Sequence, residues 1–135
     1  MSVAKYCKEN NLDESKVLCL VMGNGGDILP CPVGFTGYMT EIKENSIICR
    51  NEKLNACKEI PFSSFQRAEY GIGSGNLWLQ CIVDGSEFNF CMPRKAWKSP
   101  QAQLLLKKIS EHTELLDKKE YDRFMGKLFW IYMFK

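Results

Sequence analysis

The sequence predicts a mainly β chain, with six or seven short antiparallel strands followed by a helical C-terminal third. Three observations carry this. The stretch Leu77 to Met92 reads as a hairpin around Asp84-Gly85, a pair suited to a two-residue type I′ turn because both central residues need positive φ. Short apolar runs broken by Gly, Pro and Asn recur from Lys16 to Ile72. After Ser99-Pro100 the apolar spacing changes from a period of two to a helical one.

Taken in order, Ser2 caps a short helix in which Val3, Tyr6 and Cys7 share a face, and Asn10-Asn11 stops it. Lys16 to Met22 is a strand, broken by Gly23-Asn-Gly-Gly-Asp27, and Pro30 and Pro32 keep the next segment irregular. Gly37 to Ile42 and Ser46 to Arg50 form a second hairpin across Lys43-Glu-Asn45, and Lys58 to Phe62 and Phe65 to Ile72 add two extended pieces.

The hairpin at Asp84-Gly85 fixes its own register. Val83 faces Ser86, Cys81 faces Phe88, Leu79 faces Phe90 and Leu77 faces Met92, an almost wholly apolar face; Ile82/Glu87, Gln80/Asn89 and Trp78/Cys91 make a mixed one. A one-residue slip would turn the apolar set to solvent, so the register is strongly specified. Ser99 then caps a helix with Pro100 at its first position, and Ala102, Leu105, Leu106 and Ile109 form the stripe that lies on the sheet. Asp117-Lys-Lys-Glu120 has capping-box spacing, with Leu116 and Tyr121 as its hydrophobic staple, and predicts a second helix. Within it, Leu128 to Phe134 is apolar at every position, a run that fits helix or strand.

A chain of 135 residues, 45% hydrophobic, holds one core and one structural domain. The net charge of +2 is uneven. Residues 1–93 carry eight Lys/Arg against eleven Asp/Glu, and residues 94–135 carry ten against five, so the basic surplus belongs to the C-terminal third. Seven Cys with no C-x-x-C pair exclude the zinc-ribbon and thioredoxin-like patterns, and no metal or cofactor is expected. No segment has the length or apolarity of a signal peptide or a membrane span, so reduced thiols in the cytoplasm are the expectation. Cys19, Cys49, Cys81 and Cys91 lie in strand-like runs and read as buried; Cys7, Cys31 and Cys57 read as more accessible.

From Gly37 through Ile109 the chain resembles the GRAM and bacterial pleckstrin-homology-like group. The resemblance rests on Gly-Tyr-Met-Thr-Glu-Ile, Ser-Ile-Ile-Cys, Ile60-Pro61-Phe62-Ser63-Ser64-Phe65, the two long strands and the helix after them. It implies a β+α antiparallel barrel of six or seven strands capped by a C-terminal helix. Residues 1–112 form that unit, and residues 113–135 are a helical extension packed on it or on a partner. It also implies lipid-headgroup, peptide or protein binding, among which fold alone does not choose.

The loop that holds phosphoinositides in members of that superfamily corresponds to Gly23 to Gly34, which contains Asp27 and no Lys or Arg, an argument against a headgroup site. Gly71-Ile-Gly-Ser-Gly75 lies between strands and lacks the βαβ context of a nucleotide fingerprint. His112 is the lone histidine, in a polar link beside Glu111 and Glu114, and no Ser or Cys has a nucleophile-elbow setting, so the chain reads as non-catalytic. Arg94, Lys95 and Lys98 flank Trp97, too few cations for nucleic acid; Trp97 reads as tucked onto the barrel from a helix-entry loop, with the cluster kept as a secondary interaction surface. The leading contact residues are Phe129, Trp130, Ile131, Met133 and Phe134, more apolar area than a terminal helix shows to water. They complete the chain's own core, bury against a second copy, or rest on another protein or a membrane. The reading is therefore a binding or assembly module, in protein contact through this segment as a homodimer or with another protein. The alternative is anionic membrane-surface or small-ligand binding through the basic third.

Overall fold

The structure, a computed structural model, describes residues 2–32, 35–73, 76–113 and 115–117. Ser2 Oγ accepts the Lys5 amide at 3.2 Å and starts helix α1, Val3–Asn10, which Asn11 ends in the left-handed conformation. A 3-10 turn, Glu14–Lys16, leads into strand β1, Val17–Asn24. Then follow β2, Thr36–Ile42, β3, Ser46–Asn51, and β4, Ala56–Pro61. A second 3-10 turn, Phe62–Ser64, delivers β5, Phe65–Gly73, and the hairpin of β6, Asn76–Val83, with β7, Ser86–Pro93. Helix α2, Pro100–Ser110, precedes a three-residue strand β8, Leu115–Asp117.

These strands form one sheet in the order β4-β3-β2-β1-β7-β6-β5-β8, antiparallel throughout except for β8, which runs parallel to β5. The central hairpin has the register read from its sequence, from Val83 opposite Ser86 to Leu77 opposite Met92, and Asp84 and Gly85 sit at φ 49° and 81°. A closed barrel is not what the described strands make: the sheet stays open, with β4 and β8 as its edges. At one edge β4 presents exposed Lys58, Glu59 and Pro61, residues that blunt strand pairing; at the other, β8 takes the outer side of β5. The predicted helix beginning after Asp117 lies outside the described residues. Asp117 itself ends a strand, the extended backbone that a helix N-cap also requires.

Alternation along each strand sends Leu18, Leu20, Met22, Tyr38, Ile42, Ile47, Cys49, Leu77, Leu79, Cys81, Val83, Phe88 and Phe90 to one inner face. Ala102, Leu105, Leu106 and Ile109 of α2 close that face, as the stripe predicts. Thr40 is buried on the same side, where its hydroxyl donates to the Tyr38 carbonyl at 3.2 Å. A separate small cluster of Tyr6, Cys7 and Val17, with Val3, Leu12 and Met39 against it, fixes α1 to the outer side of β1 and β2. Cys7 is therefore buried, contrary to the accessible reading, because its helical position shares the Tyr6 face. Cys19 is only half-buried, since its register on β1 turns it outward, while Cys49, Cys81 and Cys91 are buried and Cys57 is exposed. Among the described residues no helix is long and apolar enough to cross a membrane.

Candidate functional site

With the inner face filled, the chemistry that reaches solvent lies on the outer face of the sheet. Strand period places Arg67 and Glu69 of β5, Gln80 and Ile82 of β6, and Glu87 and Asn89 of β7 together there, and they line a depression of about 440 Å³. Arg67 and Glu69 form an ion pair. Asn89 Oδ1 accepts the Cys81 amide at 3.1 Å, and Glu87 accepts from Asn24 Nδ2 at 3.1 Å, so the floor of this depression is internally hydrogen-bonded. Opposite charges and amides in one shallow bowl suit polar contact.

A second depression of about 410 Å³ lies beside α1, between Tyr6 and the turn after β3, and Cys19, Gly37, Met39, Arg50, Asn51, Glu52 and Lys53 also line it. The Arg50 guanidinium donates hydrogen bonds to the Tyr6 and Cys57 side chains, which raise it above its ordinary value and favour its charged form. Burial raises the thiol of Cys19 on its floor. Carboxylates add to burial in raising Cys7, with Glu14 the largest contributor among them. Neutral thiols are poor nucleophiles, so these cysteines act as apolar packing.

Between the two depressions stands an aromatic pair. Phe35 is 57% exposed, the one large hydrophobic side chain in that state among the described residues, and its backbone is held at φ 65°. Its ring meets the half-buried Trp78 edge-on, with centroids 5.8 Å apart. Trp78 lies over Gly23 so closely that a Cβ there would stand 2.4 Å from the indole ring. Gly23 thus serves close approach rather than anion binding. The adjoining turn tells the same way, because Gly26, at φ 59°, abuts the Glu87 carbonyl, and Asp27 accepts from Ser86 at 3.4 Å.

The residues singled out in the sequence are placed as follows. Trp97 is fully buried: its indole N–H donates to the Leu77 carbonyl at 3.0 Å, and its ring stacks on Phe90. It belongs to the core, so only Arg94, Lys95 and Lys98 of that cluster reach the surface, on the loop between β7 and α2. Phe129, Trp130, Ile131, Met133 and Phe134 lie outside the described residues. His112 stacks on the buried Phe62 with ring planes 5° apart, and neither depression includes it. Among the described residues no group of three or more His, Cys, Asp or Glu could hold a metal ion. Phe35 was missed because strand and loop patterns report nothing about exposure or φ at one aromatic residue. Its only sequence signal is an apolar side chain directly before a strand of alternating burial.

No family model and no curated protein sequence matches this chain.

Proposed function

We propose that this chain is a non-catalytic binding and assembly module of pleckstrin-homology-like architecture that makes protein contact through its C-terminal aromatic segment. The strand order, with seven antiparallel strands followed by a helix against the inner face, supports the architecture. One observation carries the binding reading: Phe35 stands exposed at a positive φ, against Trp78, on an open sheet face. An exposed aromatic in a costly backbone conformation is retained where contact repays the strain. The non-catalytic reading is supported by buried thiols of raised pKa and by a histidine stacked on Phe62, away from both depressions.

Size-exclusion chromatography with light scattering tests this on the full chain against a Trp130→Asp/Phe134→Asp variant. A mass above that of one chain, lost in the variant while its circular dichroism is unchanged, is the expected result. Identical masses for both proteins, together with no change in their thermal stability, would refute contact through the segment. Sedimentation with vesicles containing phosphatidylserine, at low and high salt, separates the membrane alternative. Salt-sensitive pelleting of a chain that is monomeric in both forms would favour Arg94, Lys95, Lys98 and the cations that follow over protein contact.

A further inference from the structure

The pairing registers place Cys57, Arg50, Met39 and Cys19 opposite one another across β4, β3, β2 and β1, on the side of the sheet against which α1 packs. Cross-strand partners share a face, so half-buried Arg50 is the one charged residue in an otherwise sulfur-bearing row. The ion pairs among the described residues, Lys43 with Glu41 and Arg67 with Glu69, do not include it. Its guanidinium is held by the neutral side chains of Tyr6 and Cys57, and Tyr6, 4% exposed, is itself fixed in the cluster that anchors α1. A guanidinium carries five N–H donors, so two neutral acceptors leave three to be met from elsewhere. Arg50 lines the depression of about 410 Å³ beside α1, whose floor is Met39, Cys19 and Gly37. Gly37 has no side chain to fill that floor. Asn51 Nδ2 donates to the Gly37 carbonyl at 2.9 Å and Asn51 Oδ1 accepts the Leu54 amide at 3.1 Å, which ties the turn after β3 to the floor.

We propose that this depression binds a small organic monocarboxylate, its carboxylate on Arg50 and an apolar body over Met39, Cys19 and Gly37. The planar fork of a guanidinium matches the two oxygens of a carboxylate, and a neighbour as rigid as Tyr6 holds that fork in place before a ligand arrives. Charge selects a monoanion. Arg50 and Lys53 against Glu52 leave the lining with one net positive charge, and a dianion such as a phosphate monoester would carry a second charge past Glu52. Lys53 and Glu52 are exposed at the rim, where solvent screens them, so half-buried Arg50 supplies most of the attraction. The body of the ligand has to be apolar because the floor offers it a thioether, a thiol and a bare backbone; a methionine side chain adapts to varied shapes. The site uses none of the residues proposed above for protein contact, and its test does not depend on assembly.

The test titrates the isotope-labelled full-length chain with phenylbutyrate and with its neutral counterpart, phenylbutyramide, and follows the backbone amides by nuclear magnetic resonance. The expected result is saturable shifts centred on Gly37, Met39, Arg50 and Asn51 with the carboxylate, and affinity about tenfold or more weaker for the amide. Arg50→Gln should lose the same factor and no longer tell the two probes apart, while Arg50→Lys, which keeps the charge without the fork, should fall between. Gly37→Val fills the floor from a Cβ that meets only Cys19 Sγ at 3.5 Å, at a φ that is not positive, and should weaken both probes with Arg50 intact. Arg50 also touches Tyr6, so if the α1 resonances of Arg50→Gln move, Gly37→Val decides: affinity equal to that of the natural chain refutes the site. Equal affinity for the two probes, shifts centred elsewhere, or no saturable binding up to about 10 mM would overturn the proposal. Inorganic phosphate that displaces phenylbutyrate at a similar concentration would also overturn it, since the site would then read an anion without an apolar body.

Discussion

Replacing Trp97 separates a core role from a contact role, because the two make opposite forecasts. Its indole is fully buried, stacks on Phe90 with centroids 6.3 Å apart, and donates to the Leu77 carbonyl at 3.0 Å. Trp97→Phe keeps most of the stack but removes the N–H, and a buried acceptor that loses its donor costs ~1–3 kcal/mol. The smaller ring leaves a void of roughly 40 Å³, which at ~24 cal/mol per Å³ adds about 1 kcal/mol. The expected loss is about 2–4 kcal/mol for Trp97→Phe and about 3–5 kcal/mol or more for Trp97→Ala. Against a urea slope of ~2 kcal/mol per M, the phenylalanine variant should unfold roughly 1–2 M earlier. Far-ultraviolet circular dichroism is the readout, since the substitution itself alters tryptophan fluorescence. A shift in midpoint below ~0.3 M for Trp97→Phe, or an alanine variant of natural stability that changes assembly alone, would overturn the core assignment.

Gly26 and Gly85, the two positive-φ glycines among the described residues, should respond differently to alanine. Gly85→Ala meets no heavy atom within 4 Å and should cost only the ~1–2 kcal/mol of left-handed backbone, whereas at Gly26 the Cβ would stand 2.3 Å from the Glu87 carbonyl oxygen. Urea unfolding should therefore rank Gly26→Ala well below Gly85→Ala, and equal losses would refute the close approach. Ser99→Ala removes the cap that accepts the Ala102 amide at 3.2 Å and should cost about 1 kcal/mol, read the same way. Thiol labelling of the native protein should be fastest at exposed Cys57, slower at half-buried Cys19 and Cys31, and should await unfolding at Cys7, Cys49, Cys81 and Cys91, as mass spectrometry of the labelled peptides would show.

The hairpin register, the Ser2 and Ser99 caps and the α2 stripe were legible because each is dictated by local chemistry: two φ values at Asp84-Gly85, one side-chain acceptor, or a helical period. The closure of the sheet was not. It depends on whether β4 meets the far edge, and the capacity of β8 to add in parallel to β5 is a contact between residues far apart in sequence. Cys7 shows the same limit at one residue. Its polar sequence neighbours suggested solvent, but helical spacing puts it beside Tyr6 against β1 and β2. For the candidate surface, the mixed pattern of Trp78, Gln80, Glu87 and Asn89 marked an outer face, yet its polar bowl and the aromatic pair beside it required the neighbouring strands. Gly23, Gly37 and Phe35 complete it from β1 and from the chain at the start of β2.

The buried thiols give a last test of how the two faces differ. Burial raises Cys49 to about 12 and also raises Cys81 and Cys91, while the unfolded chain holds its thiols near the ordinary value. A thiol whose folded value is raised contributes stability that is fully present below the unfolded value, near 9.0, and is lost as pH rises towards the folded one. Above that pH the unfolded chain binds fewer protons than the folded one, so each such thiol should lower stability by ~1.4 kcal/mol per pH unit. Urea midpoints should be flat from about pH 7 to 8.5 and fall steeply between about pH 9 and 12. Cys49→Ala should be less stable at neutral pH yet show a shallower alkaline slope. An unchanged slope in Cys49→Ala would mean that water already reaches the inner face. The closure of that face by α2 would then have to be abandoned.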